Sequence, residues 1–323
     1  MRKKIFILSL SFLSALSLSA QVDYSVISVD EEAFTEFTQI TTENDYVWMP
    51  KVTRSAKNVN WLTNRVIDIS VDGKKLAFLS EHNNTTNIFI KEIDKQGISV
   101  QRTNRNAIID FSYSPDGQYI CFSEKVGNSN QIFQTSSTTG YVCRQITNNN
   151  KDYSPIYSPN MDQLFFTREE SRGVCIWSFN INNNYLANYT NGMNPFIAPD
   201  STIIFSRMNS EGRGEIWKLD YQTGIEECIL TDLERSFTTP SLSPDGRWIL
   251  MTGSNALING RKKYYNTDIF VCSLDGTDLR QLTYHAADDL SPVWSKGGEF
   301  IYFISQRGSI HATANVWRMS FGY

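Results

Sequence analysis

The feature that most constrains the fold is a four-residue phrase that recurs along the whole chain. Its clearest copies are residues 243–246 and 114–117, both Ser-Pro-Asp-Gly, each followed by an apolar run such as 248–251 (Trp-Ile-Leu-Met). Proline presets φ at the first corner, the aspartate accepts a backbone N–H two residues on, and glycine accepts a positive φ. Each copy therefore predicts a tight turn between two strands.

Four degraded copies of the phrase stand at residues 71–73, 158–160, 198–200 and 295–298. Counted at the aspartate column, the six copies fall at 72, 116, 160, 200, 245 and 297, so the steps are 44, 44, 40, 45 and 52 residues. A period of this size is typical of arrays of four-stranded blades.

Three further columns repeat in step with the turn. A strand ends in Phe or Met about six residues after the aspartate column, an aliphatic–aromatic pair follows, and each full unit closes near a threonine. The strand-end residues are Phe78, Phe122, Phe166, Phe205, Met251 and Phe303. The aliphatic–aromatic pairs begin at 88, 132, 176, 216, 269 and 316. The closing threonines are Thr103, Thr147, Thr190, Thr231 and Thr283. Four short β-branched and aromatic strands per unit predict an all-β fold, a six-bladed β-propeller of four-stranded antiparallel blades.

The ring needs an N-terminal strand to close it. The sixth unit stops at its third strand, residues 316–319, and two early segments resemble the closing strand 280–283: 37–41 (Phe-Thr-Gln-Ile-Thr) and 61–63 (Trp-Leu-Thr). Pairing either with the last unit removes two exposed sheet edges. Spacing favours 61–63, which would make 37–41 an extra strand, and the sequence leaves both open.

The first twenty residues predict a cleavable signal peptide. Arg2, Lys3 and Lys4 precede a largely apolar run to residue 18, and Ser19-Ala20 supplies a small-residue cleavage site. A membrane anchor is the alternative, but the run is short for a span of ~20 residues. No cysteine follows the cut, so no lipid attachment site is expected. We therefore expect a periplasmic or secreted protein with residues 21–323 as one propeller domain, in which 21–63 form an N-terminal extension and ring-closing strand.

The charge of the mature chain argues against two classes of partner. Removing the three basic leader residues from 30 Lys+Arg leaves 27 against 34 Asp+Glu, a net charge of −7. An acidic surface disfavours nucleic acid and anionic membranes. No later segment approaches ~20 apolar residues, so no transmembrane segment is expected in the mature chain. The five cysteines are odd in number, and three of them, Cys121, Cys175 and Cys272, lie inside predicted strands, which favours free buried thiols over disulfides.

No motif for covalent or metal catalysis is present. The chain contains no Gly-x-Ser-x-Gly elbow, no phosphate-binding glycine loop and no His-Glu-x-x-His, and it has three histidines. We therefore predict no catalytic residue, no metal ligand and no cofactor.

Binding is predicted where the chain enters the innermost strands, because these segments converge on one end of the central channel. The candidate side chains at that channel mouth are Arg65, Asp152, Arg235, His285, Asp288 and Asp289. The alternative is that these are solvated residues with ordinary turn roles. A second candidate surface is the longest insertion, residues 254–266, which contains Arg-Lys-Lys-Tyr-Tyr at 261–265 and is expected to be a loop.

The repeat resembles that of TolB-type propellers over roughly residues 65–323. The resemblance rests on Ser-Pro-Asp-Gly-x-x-Ile-x-Phe at 114–122, on Pro240 and Pro292 three residues before the turn serine, and on Gln-Leu-Thr at 281–283. TolB is a periplasmic protein-binding component of a cell-envelope complex, with an α/β domain before its six-bladed propeller. Some 45 residues between leader and first repeat leave no room for that domain here. The resemblance implies an exported, non-catalytic, monomeric scaffold that binds a protein partner in the bacterial envelope.

Two enzyme families use similar repeats. Prolyl-oligopeptidase-like enzymes append an α/β-hydrolase domain, and no nucleophile elbow for such a domain occurs in residues 1–323, so we do not expect an intact enzyme of that kind. Oligogalacturonate lyase-like propellers place histidines and other ligands around a metal in the channel. This resemblance implies the alternative function, a metal-dependent polysaccharide-processing enzyme with its site at the channel mouth.

Overall fold

A computed structural model of the protein shows one four-stranded antiparallel unit for each sequence repeat, and the units of the second and third repeats are joined into one eight-stranded sheet by a parallel contact between Asn130 and Lys151. The structure describes residues 36–50, 53–54, 59–60, 65–95, 97–140, 142–148, 150–259, 262–309 and 311–322. The predicted leader and the candidate closing segment 61–63 lie outside these residues.

The described strands are short and follow one another with tight connections. In chain order they are β1 (Phe37–Gln39), β2 (Thr53–Arg54), β3 (Val59–Asn60), β4 (Ile67–Ile69), β5 (Lys75–His82), β6 (Thr85–Glu92), β7 (Val100–Gln101), β8 (Ile108–Tyr113), β9 (Tyr119–Val126), β10 (Ser129–Ser136), β11 (Cys143–Gln145), β12 (Lys151–Tyr157), β13 (Gln163–Glu170), β14 (Gly173–Asn180), β15 (Leu186–Asn191), β16 (Met193–Ile197), β17 (Thr202–Met208), β18 (Gly214–Asp220), β19 (Ile225–Leu230), β20 (Ser236–Leu242), β21 (Trp248–Asn259), β22 (Lys262–Ser273), β23 (Arg280–Gln281), β24 (Asp289–Trp294), β25 (Phe300–Ser305) and β26 (Asn315–Ser320). A 3₁₀ turn spans Glu43–Asp45.

The blades close into a ring. Blades 1 to 5 are β4–β7, β8–β11, β12–β15, β16–β19 and β20–β23, and blade 6 is β24–β26 with β1. The innermost strands β4, β8, β12, β16, β20 and β24 contact one another in series, and β24 contacts β4. The predicted all-β propeller, closed by an N-terminal strand, is confirmed.

The turn phrase folds as predicted, with an added role for its serine. Asp245 accepts the N–H of Arg247 at 3.1 Å, and Gly246 has φ 74°. The Ser243 hydroxyl donates to Asp245 and accepts the N–H of Trp248 at 3.0 Å. The copies beginning at 70 and 114 repeat this arrangement. Each turn is thus stabilised by hydrogen bonds local to a few residues.

Two degraded copies place a side chain where glycine would be unstrained. Met161 has φ 61° and Ser201 has φ 70°, both in the left-handed region. For an L-residue with a side chain this conformation costs roughly 1–2 kcal/mol.

Exchanging these residue types should move stability in opposite directions. Gly246→Ala should destabilise the protein by about 1 kcal/mol through backbone strain. A Cβ there would meet no atom within 4 Å, so no steric clash adds to that strain. Met161→Gly should be neutral or stabilising. Urea unfolding of both variants checks this, and a destabilised Met161→Gly beside an unaffected Gly246→Ala would contradict it.

Blade faces are buried against neighbouring blades. The strand-end column Phe78, Phe122, Phe166, Phe205, Met251 and Phe303 is fully buried. Burying a side chain of this kind contributes about 1.5–3 kcal/mol. The faces are therefore committed to the core, and the two ends of the ring and its rim remain for binding.

The five cysteines are all unpaired, and Cys121, Cys175 and Cys272 are buried. Burial raises the pKa of Cys121 and of Cys272 to about 12, which disfavours the reactive thiolate.

The strand that closes blade 6 comes from residues 37–41. β1 pairs antiparallel with β26, with Phe37 opposite Met319 and Gln39 opposite Trp317. The Thr41 hydroxyl accepts the N–H of Val316 at 2.8 Å, as Thr103, Thr147 and Thr283 accept the N–H of Ile88, Ile132 and Ile269. A glutamine two residues before each of these threonines donates to the threonine carbonyl.

The Gln-x-Thr pattern is the signal that distinguishes the two candidates. Segment 39–41 carries it and 61–63, Trp-Leu-Thr, does not. Spacing favoured 61–63, but spacing counts residues between strands and ignores the hydrogen bonds that define the closing position.

After Thr41 the chain crosses from blade 6 to blade 1, and we call residues 36–50 the clasp. Val47 forms β-bridges with Ser80 of blade 1 and with Ala314 beside blade 6. Asp45 forms a 2.7 Å salt bridge with Lys91, and the two side chains are 4% and 8% exposed. Burial by itself would raise the pKa of Asp45, but hydrogen bonds from Lys91 and the Thr42 amide outweigh it and hold that pKa below its usual value.

Asp45→Asn should destabilise the protein by about 3 kcal/mol, because it leaves the Lys91 ammonium buried without a counter-charge. A lowered carboxyl pKa contributes stability above about pH 4 that is lost as the pH falls through the folded-state value. The difference in free energy of unfolding between wild type and variant should therefore become smaller as the pH falls. Urea unfolding between pH 7 and pH 3 checks this, and adding Lys91→Met should recover part of the loss. A gap that is constant with pH would show that the salt bridge does not stabilise the clasp.

The insertion at 254–266 is a strand hairpin where a loop was expected. β21 and β22 pair without interruption from Trp248–Ser273 to Asn259–Lys262. The insertion lengthens the two central strands of blade 5 because its aliphatic and tyrosine residues have high β-propensity.

Candidate functional site

The central channel has two chemically different ends. Each innermost strand starts at the end where the chain enters the blade, which we call the leader end, and runs to the Ser-Pro-Asp-Gly turns, which we call the turn end. A cavity with a volume of about 730 Å³ lies at the turn end.

All six blades line this cavity, which we call the turn-end funnel. The last residue of each innermost strand and the residue after the turn serine contribute to its wall. They are Ile69, Tyr113, Tyr157, Ile197, Leu242 and Trp294, and Val71, Pro115, Pro159, Pro199, Pro244 and Lys296. The wall is therefore mostly apolar and aromatic, and short strands hold it rigidly.

One acidic and one basic side chain of blade 1 lie within the funnel. Asp68 accepts the N–H of Tyr113 at 2.9 Å and of Ile69 at 2.8 Å. Burial raises the pKa of Asp68, while the positive charge of Arg65 and these amides act against the rise. A ligand in the funnel would meet mostly apolar walls, the charged pair Arg65 and Asp68, and the charged side chains of Asp245 and Lys296.

The channel narrows below the funnel to a void of about 20 Å³. Its wall contains Arg65, Phe111 and three residue pairs, Ser154-Pro155, Asn194-Pro195 and Thr239-Pro240. The first residue of each pair has positive φ, as does Ser291 before Pro292, and each pair interrupts the register with the next strand. The void has room for about one water, so little free space continues from the funnel into this part of the channel.

Buried hydrogen bonds link successive blades around this constriction. Asp110 accepts the N–H of Ser154 at 2.8 Å and the hydroxyl of Ser123. Asn194 donates to the Ser154 hydroxyl at 3.0 Å and accepts from Thr238 at 3.1 Å. Burial raises the pKa of Asp110 to about 6, against the effect of its hydrogen bonds. The bonds connect blades 2 to 5 and keep the channel lining in place.

Two of the predicted binding residues form buried ion pairs. Asp152 accepts two hydrogen bonds from Arg168, at 2.7 and 2.9 Å, and is fully buried. Asp289 is also fully buried and pairs with Arg307 at 2.6 Å. These carboxylates stabilise their own blades and are not open to solvent at the channel mouth.

Three others have local structural contacts. His285 is fully buried, and its Nδ1 accepts the N–H of Ala287 at 2.9 Å. Asp288 accepts from the amide and hydroxyl of Thr267, and the Arg235 guanidinium lies 5.8 Å from the Phe270 ring centroid. Arg65 lines the channel. All six residues stand just before or at the start of innermost strands, as expected. Asp152, Asp289 and Arg235 interact within their blades, His285 bonds within the connection between blades 5 and 6, and Asp288 reaches from the start of blade 6 to Thr267 of blade 5.

Sequence reasoning missed the funnel wall. The residue before each turn serine is apolar or aromatic in every repeat, and the residue after it is usually proline. That column was visible beside the turn phrase, but its projection into a common cavity depends on the ring.

Asp152→Ala should destabilise the protein by roughly 3–5 kcal/mol, because it leaves the Arg168 guanidinium buried and unpaired. The neighbouring pair Lys151–Glu169 is the matched control, since its side chains are 51% and 45% exposed. Lys151→Ala should change stability by about 1 kcal/mol or less. Equal melting temperatures for the two variants would contradict a structural role for Asp152.

Comparison with known proteins agrees with the repeat and the ring. Residues 64–232, slightly more than half of the chain, match the TolB beta propeller domain. The chain belongs to the TolB β-propeller family.

Solved structures support the same fold. A putative TolB from Agrobacterium tumefaciens superposes with a TM-score of 0.62 at 19% identity, over 80% of this chain and 90% of that one. TolB from Acinetobacter baumannii gives 0.60 at 16%, over 77% and 64%. Oligogalacturonate lyase from Vibrio parahaemolyticus gives 0.60 at 13%, over 92% and 96%. At these identities the likeness concerns the fold.

Two features of the described residues bear on membranes and metals. No helix among them has the length and apolar character needed to cross a membrane. Within the same part of the chain, no group of three or more His, Cys, Asp or Glu is arranged to hold a metal ion.

Proposed function

We propose that this TolB-family propeller is an exported, monomeric scaffold that binds a partner protein in the bacterial cell envelope. The turn-end funnel receives an apolar segment of that partner. The observation that carries the proposal is the funnel itself, a cavity of about 730 Å³ whose wall is built from all six blades.

The wall suits apolar protein anchors. Binding energy at protein interfaces concentrates where aromatic and aliphatic side chains fill desolvated pockets. Tyr113, Leu242 and Trp294 offer such surfaces on three different blades. Because the strands are already ordered, little conformational entropy is lost on binding. The charged groups of Arg65 and Asp68 would orient one polar group of the inserted segment.

The small void below the funnel bears on how a partner enters. The wall that carries Pro155, Pro195 and Pro240 lines a void of only about 20 Å³, which favours insertion over threading through the ring. The partner therefore inserts a loop or a terminus from the turn end and leaves the same way.

The second candidate function is a metal-dependent polysaccharide-processing enzyme. The similarity of fold to an oligogalacturonate lyase is the reason to retain this hypothesis. The apolar funnel wall favours the scaffold, because a polysaccharide needs many hydrogen-bonding partners for its hydroxyls. The two are separated by measuring bound metal in the purified protein and the absorbance of unsaturated product after incubation with oligogalacturonate.

Site-specific photo-crosslinking tests the scaffold. A photoreactive amino acid at Val71, on the funnel wall, should capture a discrete envelope protein. The same group at Leu233, which is 86% exposed and outside the funnel wall, should not.

A charge introduced into the funnel should abolish this capture. Leu242→Lys on the protein carrying the Val71 crosslinker places an ammonium group against the apolar partner segment, whereas Leu233→Lys serves as the matched exposed control. The proposal would be wrong if the crosslinker at Leu233 captured the partner in preference to the one at Val71. It would also be wrong if capture at Val71 survived Leu242→Lys in a folded protein.

A further inference from the structure

A second cavity, of about 660 Å³, lies at the opposite end of the ring, where the clasp crosses from blade 6 to blade 1. We call it the seam basin. Three separate segments line it: the clasp, the β5–β6 hairpin and the β25–β26 connection. Its polar and aromatic members include Glu43, Asn44, Tyr46, Glu81, Asn83, Asn84 and Gln306. None of its lining residues belongs to the funnel.

Tyr46 presents a rigid aromatic ring in this basin. The side chain is 56% exposed, and its backbone is left-handed with φ 47°. A bulky residue adopts this conformation only when its surroundings enforce it. Here the Tyr46 carbonyl accepts the N–H of Glu81 at 3.0 Å, and its ring centroid lies 4.8 Å from that of His82. The ring is thereby fixed at the surface of the basin.

Polar side chains line the same basin. Asn83 and Asn84 form the two-residue turn of the hairpin, have φ 50° and 61°, and are exposed. Glu81 is exposed beside them. Amides donate and accept while carboxylates accept, so this set can pair with adjacent hydroxyl groups. Ala312 on the far wall has φ 53°, and such strained positions cluster at functional sites.

The combination of a flat apolar ring with amides and carboxylates matches one class of ligand. A sugar has an apolar C–H face that stacks on an aromatic ring and equatorial hydroxyls that pair with amides and carboxylates. The volume lies within the ~300–1,000 Å³ of ordinary ligand pockets. The described lining residues include Glu43 and Glu81 and no lysine or arginine, so an anionic sugar would be repelled.

We propose that the seam basin binds an uncharged oligosaccharide. The Tyr46 ring stacks on one sugar face, and Glu81, Asn83 and Asn84 bond its hydroxyls. The site is independent of the funnel and would attach the leader end to a glycan while the turn end remains available.

Calorimetric titration of the full mature protein tests the proposal, with chitotetraose and cellotetraose as uncharged probes and tetragalacturonate as the anionic control. At least one uncharged probe should bind saturably at millimolar concentration, and tetragalacturonate should not. Tyr46→Asn should weaken binding by roughly tenfold or more. Asparagine tolerates the left-handed backbone, so this variant should keep the wild-type melting temperature.

Two controls separate the basin from other surfaces. Tyr185→Asn removes a tyrosine that is 67% exposed and outside the basin, and should leave saccharide binding unchanged. Leu242→Lys in the funnel should also leave it unchanged. Absence of binding by both uncharged probes, binding that Tyr46→Asn does not weaken, or preference for a lysine tetrapeptide over both saccharides would overturn the proposal.

Discussion

The pairing of β1 with β26 is the interaction on which the rest of the structure depends. Each blade buries its strand-end Phe or Met against the preceding blade, so an open ring would expose one apolar face on blade 1 and another on blade 6. The Thr41 hydroxyl fixes β1 at the position that the other closing threonines take in their own blades. The clasp then continues into blade 1 through Val47 and the Asp45–Lys91 pair. Closure joins residues about 275 apart in sequence, and it creates both the channel and the basin at the seam.

The two ends of the ring differ because the same repeat places different chemistry at the two ends of its strands. At the leader end, acidic residues at strand starts pair with arginines on the adjacent strand or just after it, as in Asp152–Arg168 and Asp289–Arg307, and both charges are buried within a blade. At the turn end, the residue before each turn serine points into the common cavity and is apolar or aromatic. These charged side chains are therefore buried in ion pairs that stabilise the blades, whereas apolar surface remains accessible in the funnel.

Closed rings offer binding surfaces that are rigid and spatially separate. The proline pairs below the funnel line a void of only about 20 Å³. The seam basin opens at the other end and depends on the clasp, which is the part of the chain that the repeat does not generate. The two proposed sites thus rest on different features of the chain, one on the repeat and one on its N-terminal extension.

The amino-acid sequence by itself determined the repeat, the turn and the blade. Ser243, Asp245 and Gly246 bond within five residues of one another, and such local contacts follow from residue type and spacing alone. It also narrowed the closing strand to two segments, of which only 39–41 carries the Gln-x-Thr pattern.

Tertiary structure decided which of those segments pairs with β26 and which polar side chains face solvent. Asp152 and Asp289 read as candidate ligands in sequence, but each meets an arginine 16 or 18 residues away across a strand pair and becomes buried. The funnel draws residues from each of the six repeats, and the basin draws on segments near 45, 83 and 312. These placements depend on long-range packing around a closed ring. They cannot be predicted from a short stretch of sequence, because the stretch does not show which distant residue will lie beside it.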